Sequence, residues 1–364
     1  METAGLSTRS RMLELIINSP DGVTKKEIYE KMHISMPTVH RYISELLKFK
    51  LIQPGAAKPS TGGRPAAPYL VAPRCRFSIG VFISAGHHRL LALDLTGREL
   101  AYKKIRKIFT SIDDLAALLA EELPVFISEN GLLPDALLGV CISVPSTIDR
   151  IKEELILSPT LNLRAASYKA LMQLPYPMYI ENDTVCAASA QLPADDFVYL
   201  LLEQGIGGAI CIDGKIIHGK NDKGAEFGHM CIVPNGKRCN CGKNGCLEAY
   251  LSSRRFKQEL AMDTSEFFMH LKSGDEACEK IWDEMLFHLA VAINNLRMAF
   301  DSDIILGGTV AEGIVNNLDY LKDLVKSLNP FGEESDYIYI ADNPSHANMV
   351  GAAMYFILKF MAEL

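Results

Sequence analysis

GAEFGHMCIVPNGKRCNCGKNGCLE, residues 224–248, is the stretch from which the fold of this chain can be read. His229, Cys239, Cys241 and Cys246 stand in it with the spacing H-x9-C-x-C-x4-C. Three thiolates and one imidazole complete a tetrahedral zinc shell and leave no position for a catalytic water, so the expected role of the ion is structural. Gly236, Gly242 and Gly245 allow the backbone to turn tightly around it. The alternative is a reduced Cys-rich loop, which such spacing disfavours.

The same stretch resembles the zinc-binding signature of the ROK family, which joins repressors, open reading frames and sugar kinases. The family pattern runs roughly G-x-x-G-E-x-G-H, then C-x-C-G-x-x-G-C-x-E. Here it is Gly224-Ala225-Glu226-Phe227-Gly228-His229, then Cys239-Asn240-Cys241-Gly242-Lys243-Asn244-Gly245-Cys246-Leu247-Glu248. The resemblance implies an α/β chain whose body is a duplicated actin-like, ribonuclease H-like sugar kinase fold of two lobes, with a ligand cleft between them.

Working outward, the chain of 364 residues is 48% apolar, enough for two or three cores. No apolar run approaches the roughly 18 residues of a membrane span. The start, METAGLSTRSRMLEL, lacks the apolar run and cleavage site of a signal peptide. Of the nine cysteines, four belong to the cluster. Cys141, Cys186, Cys211 and Cys231 lie in apolar surroundings and read as reduced core residues, which points to the cytoplasm.

Charge is unevenly spread. Residues 1–75 hold 11 Lys/Arg against 6 Asp/Glu, whereas the remainder holds 26 against 38. A basic module on an acidic body places contact with a polyanion in the module alone. Helices are predicted at 7–18, 25–32 and 36–49, the second with Thr24 and Glu27 as a capping box. In the third, Val39, Ile43, Leu46 and Leu47 face inward, while Ser35 at its start and Thr38, His40 and Arg41 remain for a DNA major groove. Two short strands at 51–52 and 69–71 flank a Gly- and Pro-rich basic segment. Gly62-Gly63-Arg64-Pro65 in it resembles the wing of the family's repressors, with Gly63 and Arg64 placed for a minor groove. A solvated helix face and an interdomain linker are the competing readings.

The expected domains are a winged helix-turn-helix at 1–75 and a ROK domain at 76–364. The latter divides into lobes at about 76–192 and 193–364, with the C-terminal helix packing back on the first lobe. Strands are predicted at 77–84, 89–95, 99–108 and 137–144, a helical segment near 165–173, and a strand ending in Glu181-Asn182-Asp183. Three strands at 197–217 restart the pattern, and helices near 249–261, 264–272, 275–300, 311–328 and 345–362 follow. That restart is what a duplicated α/β body predicts.

By the resemblance, Asn182, Asp183, Glu226, His229 and Glu248 bind sugar hydroxyls, and Asp183 stands where the kinases keep their general base. The chemistry agrees, because carboxylates accept from vicinal hydroxyls while Asn donates and accepts. Taken alone, Asp183 reads as a helix cap. The kinases hold ATP phosphates on a hairpin of the form D-x-G-G-T, and here Phe82, Ser84, Ala85 and Gly86 stand in its place. The family's G-T-G-x-G-G-G begins here with Glu203, a charge unfavourable beside phosphates. The chain therefore reads as a regulator, not an enzyme: a repressor with double-stranded operator DNA as partner, a sugar or sugar derivative as effector, structural Zn2+, and assembly as a homodimer or dimer of dimers. A sugar kinase carrying a DNA-binding domain is the alternative.

Overall fold

The computed structural model describes residues 6–56, 67–84, 86–158, 160–192, 196–220, 224–329, 331 and 335–364. Gly62, Gly63, Arg64 and Ala85, singled out above, lie outside the described residues. Contacts divide the chain into two compact units: Met1–Ile142 with Tyr168–Ile180 and Ala352–Leu364, and Ser143–Ser167 with Glu181–Gly351.

The first unit opens with helices α1 (Thr8–Ile17), α2 (Lys25–Met32) and α3 (Met36–Lys48), then strands β1 (Ile52–Pro54) and β2 (Tyr69–Val71). Each helix starts on a side-chain cap. Ser7 accepts from Ser10, Thr24 and Glu27 form the reciprocal box, and Ser35 accepts from the N–H of Thr38. Met12, Leu13, Ile16, Ile28, Val39, Ile43 and Leu46 are buried between the helices. β1 and β2 pair antiparallel, Ile52 opposite Val71.

Next come β3 (Phe77–Ile83), β4 (His88–Asp94), β5 (Glu99–Ile105), α4 (Ile112–Glu129) and β6 (Leu137–Val144). A meander then follows: β7 (Thr147–Asp149), β8 (Glu154–Ser158) and β9 (Leu163–Ser167). After it lie α5 (Lys169–Met172), β10 (Met178–Asn182) and α6 (Asp183–Ser189). The five-stranded sheet of this half runs β10-β6-β3-β4-β5. The helical segment expected near 165–173 is corrected here. Residues 163–167 form the edge strand β9, paired antiparallel with β8, and only four residues of helix follow. Pairing to β8 decides this, overriding weak local preference.

The second unit continues with β11 (Phe197–Leu202), β12 (Ile206–Ile212) and β13 (Lys215–Ile216). Four helices come next: α7 (Glu248–Leu251), α8 (Arg254–Leu260), α9 (Thr264–Lys272) and α10 (Glu276–Phe300). The chain then forms β14 (Asp303–Gly307), α11 (Thr309–Ile314), α12 (Leu318–Leu328), β15 (Ile338–Ile340) and α13 (Ala347–Glu363). The sheet runs β13-β12-β11-β14-β15. Its middle strand β11 is buried along its whole length and pairs antiparallel with β12 and parallel with β14. Leu200, Leu202, Phe256, Phe267, Trp282, Leu289 and Ile293 form one core cluster. Burial of each such side chain contributes roughly 1.5–3 kcal/mol. The single helix expected at 249–261 is two. Ser252 donates its hydroxyl to the Gln204 carbonyl and accepts the Arg254 N–H, which ends one helix and starts the next.

Candidate metal loop and ligand pocket

Between β13 and α7 the chain forms the loop quoted first. Its backbone closes on itself: Ile232 N–H bonds the Gly245 carbonyl at 2.8 Å, Leu247 N–H bonds Met230 at 2.9 Å, and Cys239 N–H bonds Lys243 at 2.9 Å. Gly245 has φ +81°, and a Cβ there would collide with the Val233 carbonyl, so only glycine fits this turn.

The folding of the loop brings His229, Cys239, Cys241 and Cys246 together, with their donor atoms within 4.8 Å of one another. Cys241 and Cys246 sulfurs are 3.6 Å apart, and Cys239 Sγ is 3.9 Å from His229 Nδ1. A tetrahedron with Zn–S bonds of about 2.3 Å has edges of about 3.8 Å. The donor set therefore fits zinc in both chemistry and spacing. One expectation is corrected: Cys231 is exposed, not a core residue. Its sulfur lies against the Asn244–Gly245 turn at the surface of the loop, where few side chains cover it.

Ion pairs anchor the loop to the helices. Lys237 Nζ lies 2.8 Å from Glu284, and its N–H bonds the Tyr250 hydroxyl at 2.9 Å. Arg255, 3% exposed, binds Glu284 at 2.5 Å, Glu259 at 2.7 Å and the Tyr250 carbonyl at 2.7 Å. The Arg255 bond holds the Glu259 carboxyl below its ordinary range.

A polar, partly open pocket with a cavity volume of about 80 Å³ lies within the second unit. Thr147 and Arg150 line it from the β7 end, Glu181, Asn182 and Thr184 from the β10–α6 junction, and His218 and Glu226 from the approach to the metal loop. The floor is β12, and its glycines set the closeness of the walls. A Cβ at Gly207 would collide with Thr184 Oγ1, and one at Gly208 with the Ala225 carbonyl. Arg150 Nη2 donates to Glu181 at 2.7 Å, and the other Glu181 oxygen accepts the Asn182 N–H at 2.8 Å. Carboxylate, guanidinium, amide and hydroxyl groups around one cavity suit a polyhydroxylated ligand.

Of the five residues expected at a sugar site, Asn182 and Glu226 line this pocket. Asp183, His229 and Glu248 are not in its lining. Asn182 also caps α6: its Oδ1 accepts from Thr184 and Val185, and its Nδ2 donates to the Ser146 carbonyl at 3.1 Å. Asp183 follows as the first helical residue and accepts the Thr184 N–H at 2.9 Å. Burial, with the Glu203 charge adding to it, pushes the Asp183 carboxyl up to about 7. Glu248 accepts the Ile206 N–H at 3.2 Å and lies 4.0 Å from Arg254. Sequence reasoning missed Arg150, Thr147 and His218. Glu181 stood in the quoted Glu-Asn-Asp run but was given no role there.

Two segments bear on the kinase alternative, the β3–β4 hairpin and the Gly307-Gly308 turn after β14, and both make side-chain contacts of their own. On the β3–β4 hairpin, Ser84 Oγ bonds the His87 carbonyl at 2.7 Å, Arg89 donates to His87 Nε2 at 3.1 Å, and the guanidinium lies 5.5 Å from the Phe82 ring. Burial and the neighbouring Arg89 and Lys104 charges push His87 down to about 4. At Gly307-Gly308, the turn between β14 and α11, the Glu203 carboxylate accepts from the Thr309 N–H and hydroxyl.

In the N-terminal module, Ser35 and Thr38 share a hydroxyl bond of 2.9 Å at the start of α3. His40 and Arg41 are exposed on the following turn, His40 Nδ1 lying 3.0 Å from Lys25 Nζ and Arg41 lying 4.6 Å from the Tyr42 ring. No described helix is long and apolar enough to cross a membrane.

The profile of the ROK family matches residues 79–358. The xylose repressor of Bacillus subtilis (strain 168) is 24% identical over 331 residues, 86% of this chain and 85% of that one. A solved ROK family transcriptional regulator, a homolog of the E. coli MLC protein, superposes with TM-score 0.77 at 19% identity over 98% of each chain. The ROK hexokinase of Thermus thermophilus superposes with TM-score 0.65 at 24% identity, covering 78% of this chain and 99% of that one. The two structural likenesses show the shared fold.

Proposed function

The chain belongs to the ROK family, and on that premise we propose that it is a sugar-responsive DNA-binding repressor of transcription. The carrying observation is the capped three-helix module with its β1–β2 ribbon, placed ahead of the ROK body. Likeness to a xylose repressor across 86% of the chain supports the same reading. In this account residues 1–75 are a winged helix-turn-helix and 76–364 the effector-binding body. α3 enters the major groove with Ser35, Thr38, His40 and Arg41, and Gly63 and Arg64 reach the minor groove. A homodimer in the cytoplasm presents two such helices to successive half-sites of the operator.

A sugar or sugar derivative occupies the pocket of Asn182 and Glu226, with Asp183, His229 and Glu248 completing its surroundings on closure. It relieves repression because it prefers one of two conformations of the regulator. Zn2+ held by His229, Cys239, Cys241 and Cys246 keeps Glu226 and Glu248 in register and takes no part in chemistry. Phe82 on the first hairpin and Glu203 on Thr309 support a role without phosphoryl transfer.

The test is fluorescence anisotropy on DNA from upstream of the coding sequence. It is run at fixed salt against non-specific DNA, with a panel of sugars and their phosphates. Specific binding that one sugar weakens is the expected result. Specific binding that no sugar alters would remove the effector from the account.

A further inference from the structure

Cys231 lies outside the four-donor set, yet it faces one of its members. Residues 231 and 246 form an isolated antiparallel bridge. The bonds that bracket them run from Ile232 N–H to the Gly245 carbonyl and from Leu247 N–H to the Met230 carbonyl, at 2.8 and 2.9 Å. This is the non-hydrogen-bonded kind of pair, in which Cα atoms approach to about 4.5 Å and the two side chains share a face. Disulfides span Cα separations of about 4.4–6.8 Å, so the register permits the bond without movement of the backbone.

The two thiols differ in access. Cys231 is exposed, whereas Cys246 is 1% exposed and packed 3.6 Å from Cys241. Cys231 Sγ lies 3.9 Å from the Asn244 carbonyl oxygen, over the loop segment that carries Cys246. Rotation about its Cα–Cβ bond is the motion the reaction needs. Cys141, Cys186, Cys211 and Cys278 are buried.

We propose that Cys231 is the sensing thiol of a redox switch in the metal loop, joining Cys246 in a cross-strand disulfide when a peroxide is present. The outer Cys231 thiol attacks the peroxide, its sulfur is oxidised to a sulfenic acid, and the O–O bond breaks with release of water. Cys246 sulfur then attacks the sulfenic sulfur. The S–S bond forms, the S–O bond breaks, and hydroxide leaves to take up a proton. One peroxide is reduced to two waters and two cysteine sulfurs are oxidised. A dithiol reductant reverses the step by exchange. The metal keeps only His229, Cys239 and Cys241, and a three-donor shell releases zinc more readily. This consequence rests on the zinc reading above, but the disulfide does not.

The experiment uses the full chain. Metal content is measured first by mass spectrometry. Hydrogen peroxide is then added with a chromogenic chelator present, and the products are digested without reductant for disulfide mapping. The expected result is zinc release accompanied by a Cys231–Cys246 peptide pair, both reversed by dithiothreitol and zinc. Cys231→Ser should retain zinc and release it on the order of tenfold more slowly, since the buried donors then meet peroxide directly. Equal release from Cys231→Ser, or a map showing only Cys241–Cys246, would overturn the switch. A chain that carries no zinc removes the structural-metal reading, and the disulfide map alone then decides the switch.

Discussion

The carboxylate of Glu203 accepts two hydrogen bonds from Thr309, one from its N–H and one from its hydroxyl, both at 2.9 Å. These bonds join the end of β11 to the start of α11. An internal carboxylate thus takes up both of these donors at the Gly307-Gly308 turn. Glu203→Ala leaves those donors unmatched and should destabilise the chain by about 1–3 kcal/mol, read from urea unfolding. The wild type should show no sugar-dependent ATP hydrolysis. Turnover that vanishes in Asp183→Asn would restore the kinase alternative.

The proposed DNA contact should be separable from folding. Arg41 and Arg64 are distant from the ROK core in sequence, and Arg41 is exposed. Arg41→Ala and Arg64→Ala should each weaken operator binding and, where the lost contact is to phosphate, lower the salt slope by about 1. Circular dichroism should be unchanged. Unaltered binding in both variants would remove α3 and the basic segment from the interface.

Cap and ligand roles can be separated at the pocket. Asn182→Ala removes the α6 cap and should cost about 0.5–2 kcal/mol of stability in addition to sugar affinity. Glu226→Gln, at an exposed lining residue, should lower sugar affinity with little change in melting temperature. Calorimetric titration with the sugar found by anisotropy separates the two. Equal sugar binding by Glu226→Gln and wild type would place the ligand elsewhere.

The metal loop carries its own prediction. Cys241→Ser should carry less zinc than the wild type, lower the melting temperature and blunt the proposed response of DNA binding to sugar. A metal-free variant with a wild-type sugar response would separate the ion from the pocket.

Asp183 gives a pH dependence of definite sign. Its folded value of about 7 stands above the ordinary 3.8. Between those values the folded chain holds a proton that the unfolded chain has lost. The contribution is present at low pH and fades as pH rises through 7. Unfolding midpoints of wild type and Asp183→Asn at pH 5 and pH 8 test this. The wild type should lose stability relative to the variant on going to pH 8, and a constant difference would contradict the burial.

Much of the fold was legible because its signals are local. Thr24 and Glu27 stand three residues apart as a capping box, and the box forms as that spacing required. The β7–β8–β9 meander was not legible. Its strands are short, and β9 alternates too weakly to distinguish it from a helix start. The resemblance marks Asn182 as a ligand residue through the Glu-Asn-Asp run, but its place as the cap of α6 needed the backbone of that helix.

The sequence by itself determined the four-donor set, the family, and the excess of basic over acidic residues in the first 75 positions. Each is written in spacing or composition within a short span of chain. Tertiary structure alone decided that Arg150 meets Glu181 across 31 positions and that Glu203 meets Thr309 across 106. It also decided that Cys231 leaves the core and stands opposite Cys246. Such pairs depend on which strand edges and loop turns come to lie side by side. Hydrophobic periodicity records which face of an element is buried, not which distant partner that face will meet.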